Sequence, residues 1–436
     1  MIEAALPASG LVFWPVGTGD STTIVLDEKT VVQVDLRDMK QADEEGAVVA
    51  AVIDRLEETL PVTADGDPYL ALFVLTHADL DHCCGFGDLL DSPILIGEIW
   101  ATPRLWRELA EEGAMCDDAR RFQEEVERRV QATLKAVEDG MEPASGNRVR
   151  IIGYDEDRDQ HSYAQLPDSY FTFPGEAISM IDGVDVSGRF EAFVHAPFKN
   201  DCAGDRNDTS LALQVQLRDP DGIVGRALLL GDLAYPTIKQ IFDFSEANGR
   251  ADRVAWDVLL SPHHCSKKVM YGPDENGVEE RKQDVLDQLD RHAGPAAYVV
   301  ASSRPFRDAD KSGDNPPHLL ARDAYEEITA LPIVCTGSHP TVEAPHPVVF
   351  ALDRDCGFAL VDVEELQESK VASLSTDRAG VWRLLTALGN TAVTVVGTAP
   401  STIPQQTRGA DGVREAVRQA RGDEAAPAEA IGFGTE

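Results

Sequence analysis

No apolar run in this chain approaches the roughly 20 residues needed to cross a bilayer, so a membrane channel is not expected. The start, Met1-Ile2-Glu3-Ala4-Ala5, has no basic flank before a hydrophobic stretch, so no secretory leader is expected there. Cysteine is sparse. The 436 residues hold seven, an odd number, scattered and without a Cys-x-x-Cys pair, which argues against a disulfide framework and for a reducing, cytoplasmic setting. Positive charge is also short: 39 Lys and Arg stand against 76 Asp and Glu, a formal net charge of −37. Such a surface repels phosphate backbones at long range, so extended binding to duplex DNA is disfavoured. There is no internal repeat.

What remains is an ordinary globular composition. With 43% hydrophobic residues the chain can bury a large α/β core and a smaller appendage. Its most informative segment is Leu75-Thr76-His77-Ala78-Asp79-Leu80-Asp81-His82, which follows a strand predicted over Tyr69–Leu75 after the turn Asp65-Gly66-Asp67-Pro68. His77, Asp79 and Asp81 alternate and can face one way in extended backbone. His82 must diverge from Asp81, so a single loop can serve two ions. Gly85 and Gly87 then allow a tight passage into the next segment.

Thr-His-x-Asp-x-Asp-His resembles the first metal motif of the metallo-β-lactamase fold hydrolases, in the variant with Asp where the second His usually stands. Other segments follow in that family's order: Val16-Gly17-Thr18-Gly19-Asp20-Ser21, Val34-Asp35, Asn207-Asp208-Thr209-Ser210-Leu211, Leu228-Leu229-Leu230-Gly231-Asp232 and Ser261-Pro262-His263-His264-Cys265-Ser266. Tyr298 to Ser303, Pro317-His318 and Val334-Cys335-Thr336 resemble its last strands and loops. As a set these motifs are most similar to the soluble hydrolase domain of ComEC-like competence proteins, over roughly residues 10 to 350. With no membrane channel expected, DNA import by this chain alone is not.

The resemblance implies an α/β fold in four αββα layers and two divalent ions, Zn²⁺ or Mn²⁺, with Asp79 in place of His favouring the harder ion. It implies His77 and Asp79 on one ion with His195 as third ligand, and Asp81, His82 and one of His263 and His264 on the other. Asp232 would bridge, and His263 is the preferred ligand of the pair. Asp81, Asp232 and His264 form the expected catalytic set, with His264 orienting or stabilising substrate. Asp20, Asp35 and Asn207 are expected to support the ligand loops through hydrogen bonds rather than bind metal. The implied reaction is phosphodiester hydrolysis through a metal-bound hydroxide, on a nucleic acid (single-stranded) or a nucleotide. Lactone, β-lactam or thioester hydrolysis is the alternative chemistry, and a catalytically silent metal-binding regulator the alternative class.

Basic residues near these motifs would suit a phosphate ester: Lys199, Arg206, Lys267, Lys268, Arg304, Arg307 and Lys311. Lys267, Lys268 and His318 are the expected substrate contacts. Cys84 and Cys265 stand where relatives usually have Gly, and are read first as small packing residues and second as metal-sensing thiolates. The hydrolase domain is expected over 1–350, with a helical insertion at 104–140 that packs on the core or covers the site. Residues 150–190 read as a further insertion shaping substrate entry. A small α/β appendage over 351–403, including strands at Phe358–Val363 and 391–396 and a helix at 380–388, and a mobile tail over 404–436 complete the expectation.

Overall fold

The computed structural model describes residues 6–43, 48–109, 115–154, 158–198, 207–311 and 313–363. Two sheets dominate. The first has nine strands in the order Gly357–Val361, Val348–Asp353, Gly10–Phe13, Thr22–Val25, Val31–Val34, Tyr69–Val74, Leu95–Ala101, Arg148–Ile152 and Phe171–Thr172. The second has seven: Val334–Cys335, Ala293–Ala301, Trp256–Leu260, Val224–Leu229, Ala212–Arg218, Phe190–Ala196 and Ala177–Ile178.

Side-chain alternation stacks these sheets face to face. In the second sheet Ala227 and Leu229 point into the layer between the sheets, with Leu72, Val74 and Trp100 of the first, while Leu228 and Leu230 point outward. The outward set packs beneath helices Tyr235–Ala247, Gln283–His292 and Leu319–Ile328 through Ile238, Phe242, Leu286 and Tyr325. On the far face of the first sheet, Phe73 and Ile99 meet Leu56, Phe86, Phe122 and Val126. Each sheet thus buries both faces, and the result is the four-layer αββα α/β fold expected above.

The helical segment at 104–140 contributes Arg104–Leu109 and Asp117–Glu138. The longer helix presents Phe122, Val126 and Val130 to the first sheet, so it is part of the core. Residues 150–190 are built into the sheets: they supply the end of Arg148–Ile152 and Phe171–Thr172 of the first sheet and then Ala177–Ile178, which pairs with the second. The boundary expected at 350 also moves. Val348–Asp353 pairs antiparallel with Gly10–Phe13, and Gly357–Val361 pairs beside it, so the strand placed in an appendage is the sheet's edge. The rest of the expected appendage and tail lies outside the described residues. Among the described residues no helix is long and apolar enough to cross a membrane.

The strand directions locate the site. Val31–Val34 and Tyr69–Val74 run parallel, as do Val224–Leu229 and Trp256–Leu260, so four carboxyl ends gather on one side of the two sheets. The amide of Leu211 donates to Thr76 O (3.0 Å) and ties the two sheets together there. Loops leaving parallel strands at this end are the natural place for polar side chains to converge.

Candidate metal centre

Asp35, just past its strand, has φ 55° and organises the metal loop. Its carboxylate accepts from the Thr76 amide and hydroxyl, both at 2.7 Å, and lies 2.8 Å from His82 Nδ1. With Nδ1 so engaged, His82 turns Nε2 toward Asp232 Oδ1, 3.2 Å away. Asp232 follows Gly231, whose φ is 53° and where a Cβ would stand 2.8 Å from Ser210 Cβ. The Asp232 amide donates to Ser210 Oγ (3.3 Å), at the end of the turn opened by Asn207.

The closing loop is a left-handed turn. His263, His264 and Cys265 have φ of 51°, 55° and 65°, a conformation costing roughly 1–2 kcal/mol per non-glycine residue. Strain of this kind gathers at functional positions, because the surrounding structure must hold it. Here the His263 amide donates to Gly231 O (3.0 Å), locking the turn to the Asp232 loop. The positive φ of Cys265 is the backbone conformation that glycine adopts without strain.

These loops surround Asp232 on two sides. On one, Oδ1 lies 3.2 Å from His82 Nε2 and 3.5 Å from His264 Nε2. His264 also lies 3.3 Å from Asp81 Oδ2 and, through Nδ1, 3.3 Å from Asp20 Oδ1. On the other, Oδ2 lies 3.9 Å from His77 Nε2 and 3.8 Å from His263 Nε2, and Asp79 Oδ2 is 3.7 Å from His77. Asp20, His82, Asp232 and His264 offer ligand atoms all within 4.8 Å of one another. Buried Asp20 Oδ1, His77 Nε2, His82 Nε2, Asp232 Oδ1 and both His264 ring nitrogens lack a hydrogen-bond partner. Buried donors and acceptors rarely go unmatched, and nitrogens and carboxylate oxygens converging this way are the donor set of a divalent cation. The residues fit the metal.

Charge in the metal-free centre is shared between protons and carboxylates. Burial opposes the charged form of His264, but Asp232 and Asp20 overcome it and push its pKa up to about 10. Burial likewise opposes charge on His82, and Asp232 and Asp35 hold its pKa well above the ordinary value. Burial lowers the pKa of His77 and His263. Asp232 and Asp81 are held far down against burial, Asp232 first by the charge of His264 and Asp81 first by the His264 imidazole 3.3 Å from it. Protons on His82 and His264 thus stand where cation charge would.

Asp20 was expected only as a supporting residue, yet it joins the buried four-residue set. Its signal was faint: one Asp in a Gly-rich turn, brought in by its amide bond to Asp81 O (3.0 Å). His195 goes the other way. Its Nε2 lies 2.8 Å from Arg253 O, burial lowers its pKa to about 4, and it lines a cavity of about 460 Å³ with Phe193, Phe198 and Phe244. No cluster residue lines that cavity among the described residues, so His195 is corrected from ligand to core residue. His318 is corrected too: Nδ1 accepts from the Lys267 amide (3.3 Å) and Nε2 lies 3.1 Å from Asp314 O, leaving neither nitrogen for substrate. Lys267 Nζ is paired with Glu279 (2.8 Å), so that expected substrate contact is engaged as well, whereas Lys268 is exposed beside His263. Lys199 and Arg206 lie outside the described residues. Cys84 donates to Asp38 O (3.2 Å) and Cys265 packs in the outer core; burial raises the pKa of both, so they are thiols.

No family model matches this chain, and no curated protein matches it. Among solved structures it is similar to the metallo-β-lactamase fold protein YhfI from Bacillus subtilis, with 11% identity over 78% of this chain and 98% of that one and a TM-score of 0.33. It is also similar to the metallo-β-lactamase MIM-1 from Novosphingobium pentaromativorans, with 15% identity over 59% of this chain and 76% of that one and a TM-score of 0.27. Likeness at this level carries no weight on function, which rests on the side chains.

Asp35→Asn keeps the shape of the side chain and removes the charge that orients His82, so metal affinity is expected to fall about 10–100-fold in a chelator-competition titration. An unchanged affinity would remove Asp35 from the centre. The sign of the proton linkage is also fixed. A His264 pKa raised from 6.5 to about 10 stabilises the metal-free protein fully below pH 6.5 and is lost as pH rises through about 10. Metal uptake near pH 7 must therefore expel protons and strengthen as pH rises toward 10. Calorimetry in two buffers of different ionisation enthalpy reads this directly; heats that do not depend on buffer would contradict it.

Proposed function

We propose that this chain is a metal-dependent hydrolase whose centre takes two divalent ions, and that its substrate is a phosphodiester in a nucleotide or single nucleic acid strand. The observation that carries the reading is the division of the site at Asp232: one carboxylate oxygen faces His82 and His264, the other His77 and His263. In this reading Asp20, Asp81, His82 and His264 hold one ion, His77, Asp79 and His263 the other, and Asp232 both. Taking one closing histidine on each side replaces the choice between them. Divalent ions so held would supply Lewis acidity and the activation of a water for attack.

The protein's own part is positional. His77, His82, His264 and Asp232 have side chains no more than 5% exposed, whereas Asp79, Asp81 and His263 are 30%, 37% and 14% exposed. Substrate therefore approaches over Asp79, Asp81 and His263, and Lys268 stands at that approach. Burial raises the pKa of the Cys84 and Cys265 thiols in the two metal-loop segments, so neither is poised as nucleophile. A cation at the open side favours an anionic ester over a lactone or thioester, and the ComEC-like motif order agrees with phosphorus as the attacked centre.

The experiment is turnover of bis(p-nitrophenyl) phosphate and of short single-stranded DNA by metal-stripped protein reloaded with Mn²⁺ or Zn²⁺, beside a lactone and a thioester. Activity on the diesters should return with metal and fall to background in Asp232→Ala. Turnover of the carbonyl esters alone would move the chemistry to acyl transfer. Tight metal binding with no turnover of any ester would favour a regulator.

A further inference from the structure

In a chain with 76 acidic and 39 basic residues, a cation near carboxylates is ordinarily paired. Around the open side of the centre this holds for Lys267 with Glu279 (2.8 Å) and Arg307 with Asp314 (3.0 Å). It does not hold for Arg37 and Arg304. Among the described residues no carboxylate lies within ion-pair distance of either guanidinium, and Arg37 Nη1 is buried with no hydrogen-bond partner.

The two arginines share one turn, Gly17-Thr18-Gly19, which leads directly into Asp20. A Cβ on Gly17 (φ 80°) would stand 3.6 Å from Arg37 Nη1 and 3.9 Å from Arg304 Nε. A Cβ on Gly19 (φ 153°) would collide with Arg37 Cδ at 2.4 Å and Asp81 O at 2.6 Å. The missing side chains are what let the Arg37 stem lie between this turn and the metal loop. Its stem is therefore held close to the backbone of Asp81, whose side chain belongs to the open side of the centre. Burial, then opposed by Asp81 and aided by Arg304, lowers the Arg37 pKa. Two guanidinium groups this close, one of them partly buried, repel each other and together attract an anion.

We propose that Arg37 and Arg304 form an anion subsite that grips a second phosphate of the substrate, next to the phosphodiester held at the metal centre. Arginine is suited to this, since its planar fork donates two parallel hydrogen bonds to a phosphate. The proposal rests on the phosphodiesterase reading and narrows it: the preferred substrate carries a phosphate adjacent to the reacting one, as in an oligonucleotide, and an isolated diester is a poor one. It also gives an acidic protein a local means of holding a polyanion.

Thymidine 5′-monophosphate and thymidine 3′,5′-bisphosphate are the probes, titrated calorimetrically into metal-loaded wild-type protein, Arg37→Ala, Arg37→Lys and Arg304→Ala. The wild type should bind the bisphosphate at least tenfold more tightly than the monophosphate. Arg37→Ala should lose most of that ratio, Arg37→Lys part of it, and the exposed Arg304→Ala part of it with metal content intact. A ratio near one in the wild type, or a ratio unchanged in Arg37→Ala and Arg304→Ala, overturns the subsite. If Arg37→Ala loses metal, the Arg304→Ala and Arg37→Lys ratios decide. Because turnover is not read, failure of phosphodiester hydrolysis and failure of this selectivity are separate results.

Discussion

The carboxylate of Asp232 is the point on which the site depends. It stands 3% exposed at the junction of the two sheets, with imidazoles from both sheets on either side. An ionised carboxylate so placed is tolerated only among opposite charges. Everything nearby supplies them: histidines from the first sheet's metal loop, histidines from the second sheet's left-handed turn, and protons on two of the four. Divalent cations would take over the same role more strongly, which is the physical case for a metal centre.

Several local costs follow from that constraint. The His263-His264-Cys265 turn holds three non-glycine residues at positive φ so that two adjacent imidazoles can reach opposite oxygens of one carboxylate. Asp35, also at positive φ, spends both carboxylate oxygens fixing Thr76 and His82. Gly231 gives the chain the close approach to Ser210 that aims Asp232. Each is held in place by the packed sheets and serves the cluster.

The metal loop was legible because its ligands are neighbours in sequence and the strand before it is a plain apolar run. The four layers were legible only through the resemblance of the ordered motifs to a known fold, since periodicity alone gave strands and helices without their stacking. What failed was contact at long range. His195 sits in a strand with the right neighbours, but the strand turns its ring onto Arg253 O, and no local pattern shows that. Asp20 enters the cluster through a backbone bond to Asp81, 61 positions away in the chain. Arg37 has no motif around it in sequence, and only the fold lays the Gly17-Thr18-Gly19 turn over it. The boundary at residue 350 failed because Val348–Asp353 returns to pair with the first strand of the chain, which hydrophobic pattern alone does not reveal.

The central claim is that Asp232 divides the site between two cations. Anomalous scattering from crystals of the metal-loaded protein tests it most directly. Two peaks are expected, one among Asp20, Asp81, His82 and His264 and one among His77, Asp79 and His263, with Asp232 between them. A single peak, or a peak bound by His195, would contradict it.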